Sequence, residues 1–258
     1  MLDALDQRGL LGSMYRATML GLAMVIAFGF VTGLMAMARS PWAAQFAFGN
    51  GDLSGYLDGA RRFLATGSPY LPEQVAGSWH LQPHSFIHPP VALVLFVPFL
   101  WLPAILWWAI PIVGTTWIMI RSRPAPWTWP LVALCLAWPR SQGSILDGNT
   151  DLWAMFAVAL GVRYGWPFIF LIVKPTFAPL AILGTNDRRI WIAAAIAAAA
   201  TLPLVSLWLD YFAVIRNTDL GLGYSVLNMP LIVMPLASLF PSRRQERAVG
   251  AVDIVQSG

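Results

Sequence analysis

Two charged residues in this 258-residue chain stand where charge is costly, and together they carry the two halves of a group transfer. Lys174 lies in GWPFIFLIVKPTFAPLAILG with about nine apolar residues on either side, too few for a membrane crossing each way. An ammonium at the bilayer centre costs roughly 2.5–3.5 kcal/mol on insertion scales, which makes such a residue a functional candidate, suited to a phosphate held at membrane depth. Its structural alternatives are to snorkel to an interface or to pair with a carboxylate such as Asp147 or Asp151. Asp52 follows Asn50 and Gly51 at the head of an amphipathic stretch. A carboxylate at a membrane surface is partly desolvated, so its pKa rises towards the range of a general base; the same position also suits a helix N-cap.

Other side chains fall around these two. Asp58 has Arg61 and Arg62 three and four residues on, the spacing of a surface ion pair. His80, His84 and His88 recur every fourth residue, a metal-binding row if they shared a helix, but Pro83 and Pro89 interrupt it and no metal is expected. His88 alone, before Pro89 and Pro90, suits a proton relay or a hydrogen bond to phosphate. Asp147, Gly148 and Asn149 make either a turn or an amide presented to a sugar hydroxyl. Trp79, Trp101, Trp107 and Trp108 suit sugar stacking or interfacial anchoring. No glycine-rich phosphate loop occurs, and no cofactor is expected.

Composition says what must hold these residues. The chain is 58% hydrophobic and 11% charged with 13 Trp and 20 Pro, which excludes an ordinary aqueous domain and points to a polytopic, all-α membrane protein. The net charge of +4 comes from residues scattered between apolar runs, a topology signal and not a nucleic-acid patch. Cys135 is a lone packed thiol.

The chain reads as one membrane domain over 1–258. Residues 17–38 form a retained first transmembrane helix, longer than a signal-peptide core, with the N-terminus in the cytoplasm. Residues 39–90 form an outer-face loop with an amphipathic helix over 57–66 lying in the headgroup plane. Residues 91–240 form a helical bundle. Within it 91–120 is a broken entry segment and a full helix, or alternatively a short hairpin, and 140–151 is a polar outer loop. Next, 165–184 rises halfway, breaks at Lys174 and Pro175 and descends, as broken helices do where they line a cavity. An Ala-rich helix over 190–209, an outer loop over 210–224 and a last apolar segment over 225–240 follow, and 241–258 is a cytoplasmic tail. About seven to nine transmembrane or broken helices result, in a cytoplasmic membrane with the site facing outward.

Four motifs now come in order: Asp52, Tyr56 and Ala60 with GSPY at 67–70; FIHPPVALVLFVPFLWLP at 86–103; Gly148 and Asn149 before an apolar helix; and VKP at 173–175 followed by Arg188 and Arg189. Over roughly 17–215 their order and spacing resemble glycosyltransferase family 87, polytopic enzymes of the GT-C superfamily. His88 stands where that family usually has Tyr, and Asn149 where Gln is common. The resemblance implies transfer of a sugar, typically mannose, from a polyprenyl-phosphate donor to a glycan or glycolipid acceptor at the outer face. It implies Asp52 as base, Lys174 on the lipid phosphate, Tyr70 with Pro89 and Pro90 shaping the donor site, and Tyr56, Asp58, His88 and Asn149 beside the substrates. Family members usually run longer, so a non-catalytic subunit that binds a lipid-linked glycan with an unidentified protein partner is the second expectation. A transporter is the third, with no internal repeat to support it.

Overall fold

The computed structural model describes residues 10–39, 51–82, 85–218 and 226–240. The expectations for Arg8, Asn50, Pro83, His84, the outer end of the 210–224 loop, Ser225 and the 241–258 tail lie outside the described residues. Within them the protein is all-helical, and β-type pairing is confined to isolated bridges such as that between Trp79 and Thr218.

Among the described residues three helical segments are long and apolar enough to cross a membrane: Leu11–Gly33, Ile105–Ser122 and Arg188–Asn217. The first belongs to α1 (Leu10–Ala38), which starts seven residues before the expected 17 because a single Arg16 can reach from the helix side to polar surroundings without stopping it. α1 packs on α6 (Thr128–Ala137) and otherwise presents Met24, Val25 and Phe28 outward, as a lipid-facing helix does.

α2 (Asp52–Thr66) begins five residues before the expected helix at 57. Its apolar face runs back through Ala60, Tyr56 and Leu53 at spacings of three and four, all buried. Gly67 stops it in the left-handed conformation, and α3 (Pro72–Ala76) follows. The entry segment is broken as expected, into 3-10 turns flanking α4 (Leu93–Phe96), and the full helix α5 (Ile105–Ser122) comes next.

The expected polar loop over 140–151 is instead a helix, α7 (Pro139–Asp147), joined by a tight turn to α8 (Asp151–Tyr164). Pro139 supplies the preset φ of a first turn. The inward face of α7 carries Ser141, Gln142 and Ser144, so its amphipathicity is polar on the buried side and escapes an apolar-period reading.

The break at Lys174 is present. Residues Trp166–Val173 and Pro175–Gly184 form two 3-10 runs packed against each other, and Lys174 between them is non-helical at φ −129°, ψ 83°. Pro167, Pro175 and Pro179 each remove an amide donor, which favours this tighter, less regular winding over an α-helix. α9 (Arg188–Thr201) starts at an Asp187 cap whose side chain accepts from the Arg189 amide, and a 3-10 turn leads into α10 (Val205–Asn217). α10 runs eight residues past the expected end at 209 because Leu207, Tyr211 and Val214 carry a buried stripe through the polar residues. A helical pair, Met229–Val233 and Met234–Leu239, packs on α8 and ends the described chain.

The core joins α2, the entry segment, α5 and α8. Phe86, Phe96 and Trp107 are fully buried, with Tyr56 stacked on Phe96 at 4.8 Å and Phe99 edge-on to Trp107 at 5.0 Å. Each such pair contributes about 0.5–1.5 kcal/mol beyond area burial, so this aromatic block is a rigid floor. Asp52 begins the helix lying on it.

Candidate functional site

Three separate stretches bring polar atoms to one point: the first turn of α2, the turn between α7 and α8, and the break at Lys174. The middle one organises the others. Gly148 ends α7 at φ +67°, a conformation that only glycine adopts without strain, and a Cβ there would stand 2.7 Å from the Trp108 ring. Two indoles from α5 hold this turn: Trp107 Nε1 donates to the Gly148 carbonyl at 2.6 Å, and Trp108 Nε1 to the Ile145 carbonyl at 2.7 Å. Trp107 and Trp108 are therefore buried structural clamps, while Trp101 is exposed. Gly148→Ala should lower the stability of the purified protein by about 2–3 kcal/mol, from left-handed strain plus overpacking, read as a drop in its thermal unfolding midpoint.

Asn149 faces inward from this turn. Its Oδ1 accepts from Lys174 Nζ at 3.2 Å and from the Asp151 amide at 3.0 Å, so that atom is the oxygen, and Nδ2 donates to the Asp52 carboxylate. One amide thus connects the two residues singled out first. Asp52 is half-buried in the first turn of α2, where no side-chain cap bond forms; the capping alternative is replaced by the bond from Asn149. The approach is close because residue 51 is glycine: a Cβ there would meet the Asp147 carbonyl oxygen at 2.7 Å.

Lys174 pairs with Asp151, which has no solvent exposure and also accepts from Ser144 Oγ at 2.8 Å. The ion-pair alternative for Lys174 is therefore realised, with Asp151 and not Asp147 as partner. It does not exhaust the ammonium. Two of its three protons go to Asp151 and Asn149, its side chain retains 12% exposure, and it lies 5.7 Å from the Phe177 ring centroid. The third N–H has no hydrogen-bond partner among the described residues.

The remaining expected residues divide. Tyr56 is buried one turn after Asp52 on α2, its ring edge-on to His88 at 4.7 Å and stacked on Phe96. His88 is buried against Tyr56, Phe86 and Phe96, with Nε2 3.1 Å from Thr150 Oγ1 and Nδ1 lacking a partner among the described residues. Tyr70 donates from its buried hydroxyl to the His88 carbonyl at 2.8 Å, so it fixes the backbone before Pro89 and Pro90 and does not itself reach the cluster. Asp58 is paired with Arg61 at 2.8 Å on the exposed side of α2, away from Asp52. Arg62 donates instead to the Pro69 carbonyl. Asp147, Thr150 and Asp151 belong to the cluster without having been expected as site residues. The signal was the pentapeptide DGNTD, which places two acids and an amide at alternate positions in a turn entering a helix.

Asp52, His88 and Asp147 lie outside the three spanning segments. Burial raises Asp52 above the usual carboxylate range, opposed by the Asn149 bond and the Lys174 charge. Burial, with the Lys174 charge second, holds His88 down at about 3, so its imidazole is neutral near neutrality. Asp147 is pushed up to about 7 by burial and by the Asp52 charge. The folded state therefore keeps the Asp147 proton between about pH 4 and 7 where the unfolded chain has lost it, and stability falls as pH rises through that window and is flat above it. Asp147→Asn should raise the unfolding midpoint at pH 8 and leave it nearly unchanged at pH 4; with the group half-exposed, the gain is on the order of 1 kcal/mol.

Among the described residues no group of three or more His, Cys, Asp or Glu side chains is arranged to hold a metal. Chemically the cluster offers a basic carboxylate and a partly free cation, bridged by an amide. No family model, no curated protein and no solved structure matches the chain.

Proposed function

We propose that this chain is an integral membrane glycosyltransferase of GT-C type that moves a hexose, mannose by the family resemblance, from a polyprenyl-phosphate donor to a glycan or glycolipid acceptor at the outer face of the cytoplasmic membrane. The observation that carries the reading is the Asn149 side chain, which touches Asp52 with one end and Lys174 with the other. Breaking the glycosidic bond leaves the electron pair on the phosphate oxygen, and a fixed ammonium stabilises that charge more in the transition state than in the ground state. The acceptor oxygen forms its bond to the anomeric carbon from the opposite side and loses its proton to the Asp52 carboxylate, whose affinity for protons burial has raised. Inversion at the anomeric carbon follows from a single displacement.

The three long apolar segments, with the shorter apolar helices Pro90–Leu100, Thr128–Ala137, Pro175–Gly184 and Met229–Leu239, support a bundle of at least seven hydrophobic elements. The shorter ones are broken or partial passes that keep irregular backbone inside protein.

A specific observation favours a second reading. Asp151 already neutralises Lys174, as it would in a subunit that binds a lipid-linked glycan without turnover. Reconstitution decides between them. Purified protein in vesicles with polyprenyl-phosphate mannose and an outer-face glycan acceptor should yield product of inverted anomeric configuration. Absence of turnover, with a stoichiometric partner that restores it, establishes the subunit reading.

A further inference from the structure

The hydroxyl of Thr150 is buried and stands between two side chains. Thr150 is 1% exposed; its Oγ1 lies 3.1 Å from His88 Nε2 and 3.4 Å from Asn149 Oδ1. Asn149 is also the side chain that donates to the Asp52 carboxylate. That donor to Asp52 therefore rests on the Thr150 hydroxyl. Because Asn149 Oδ1 is an oxygen already facing the Lys174 ammonium and the Asp151 amide, the contact from Thr150 must be a donation to it. The lone pairs of Oγ1 are then what His88 meets, so the proton of its neutral ring sits on Nε2 and is spent on Thr150. Its Nδ1 is left as an unpaired acceptor, a cheaper defect than a buried N–H with no acceptor.

We infer that Thr150, seated on His88, is the positioning residue of the carboxylate at position 52: it orients Asn149 towards Asp52. His88 acts from behind Thr150 and makes no contact with a phosphate. The role rests on the proposed reaction only for its purpose; the geometry and its test do not need turnover.

The groups facing Asp52 are Asn149, Tyr56, Lys174, Asp151 and Asp147. Hydrogen bonds to a carboxylate favour its ionised form, so loosening Asn149 raises the midpoint at which Asp52 takes up a proton. That midpoint is read, without substrate, from the infrared carbonyl band of the protonated acid, assigned by its disappearance in Asp52→Asn. In Thr150→Val it should rise by about one unit, and in Thr150→Ser it should match the wild type. His88→Gln, whose amide reaches as far as Nε2, should also match the wild type, and His88→Phe should shift it upward. Asn149→Leu gives an internal scale: in its background Thr150→Val should add no further shift, because the donor it acts through is already gone. An unmoved midpoint in Thr150→Val, an equal shift in Thr150→Ser, or additive shifts in the double variant overturns the inference. The expected titrations in a protein that transfers no sugar would leave this role standing and remove the proposed reaction; sugar transfer with unmoved titrations would do the reverse.

Discussion

Asp52→Asn is expected to lower sugar transfer by about three orders of magnitude while leaving the protein folded and inserted. The amide keeps the size of the carboxylate, and its oxygen can still accept from Asn149 Nδ2, so the turn between α7 and α8 has no reason to move. What disappears is the proton acceptor. The variant should be no less stable than wild type, because burial penalises the Asp52 charge and that charge also pushes the Asp147 carboxyl upward. Loss of transfer together with an unchanged or higher unfolding midpoint separates removal of a base from general damage. Full transfer by Asp52→Asn in reconstituted vesicles would show that the acceptor is deprotonated elsewhere.

Lys174→Ala should cost both stability and transfer, and the two losses can be pulled apart. Truncation leaves Asp151, which has no solvent exposure, with Ser144 as its remaining side-chain donor. Breaking a buried pair from one side costs about 3–5 kcal/mol, most of it for the charge left behind, so Lys174→Ala alone should unfold at a markedly lower temperature. Lys174→Met combined with Asp151→Asn removes both charges and keeps both volumes. Stability should then return close to wild type while transfer stays absent, because the departing phosphate has lost its cation. A double variant that regains transfer along with stability would make Lys174 a structural partner of Asp151 and nothing more.

What the sequence disclosed, and what it hid, follows from which signals are local. Lys174 was legible because a lone ammonium amid apolar residues and next to a proline violates two local rules at once, and the backbone does break there. The alternative of pairing with a carboxylate was legible too, though spacing could not choose between Asp147 and Asp151; α8 makes that choice by placing Asp151 at its buried first turn. α7 was not legible. Its inner face is Ser141, Gln142 and Ser144, and a helix that buries polar groups gives no apolar period. Mistaking it for a loop hid the clamp by Trp107 and Trp108, two residues whose type suggested sugar stacking. Asp52 was singled out as a partly desolvated carboxylate but placed outside the helix it begins, because Leu53 and Tyr56 were not counted into the buried stripe. The part played by Asn149 depends on contacts 97 and 25 residues away, which no local pattern encodes.

The most direct test asks whether Asp52 and Lys174 serve one ligand on one side of the membrane. Asp52→Cys, made on a Cys135→Ser background, is labelled in sealed vesicles with a thiol reagent that does not cross the bilayer. Labelling is expected from the outer side only, polyprenyl phosphate should block it, and adding Lys174→Met should abolish the block. Labelling from the cytoplasmic side, or protection that survives loss of Lys174, would contradict a shared site for the carboxylate and the cation.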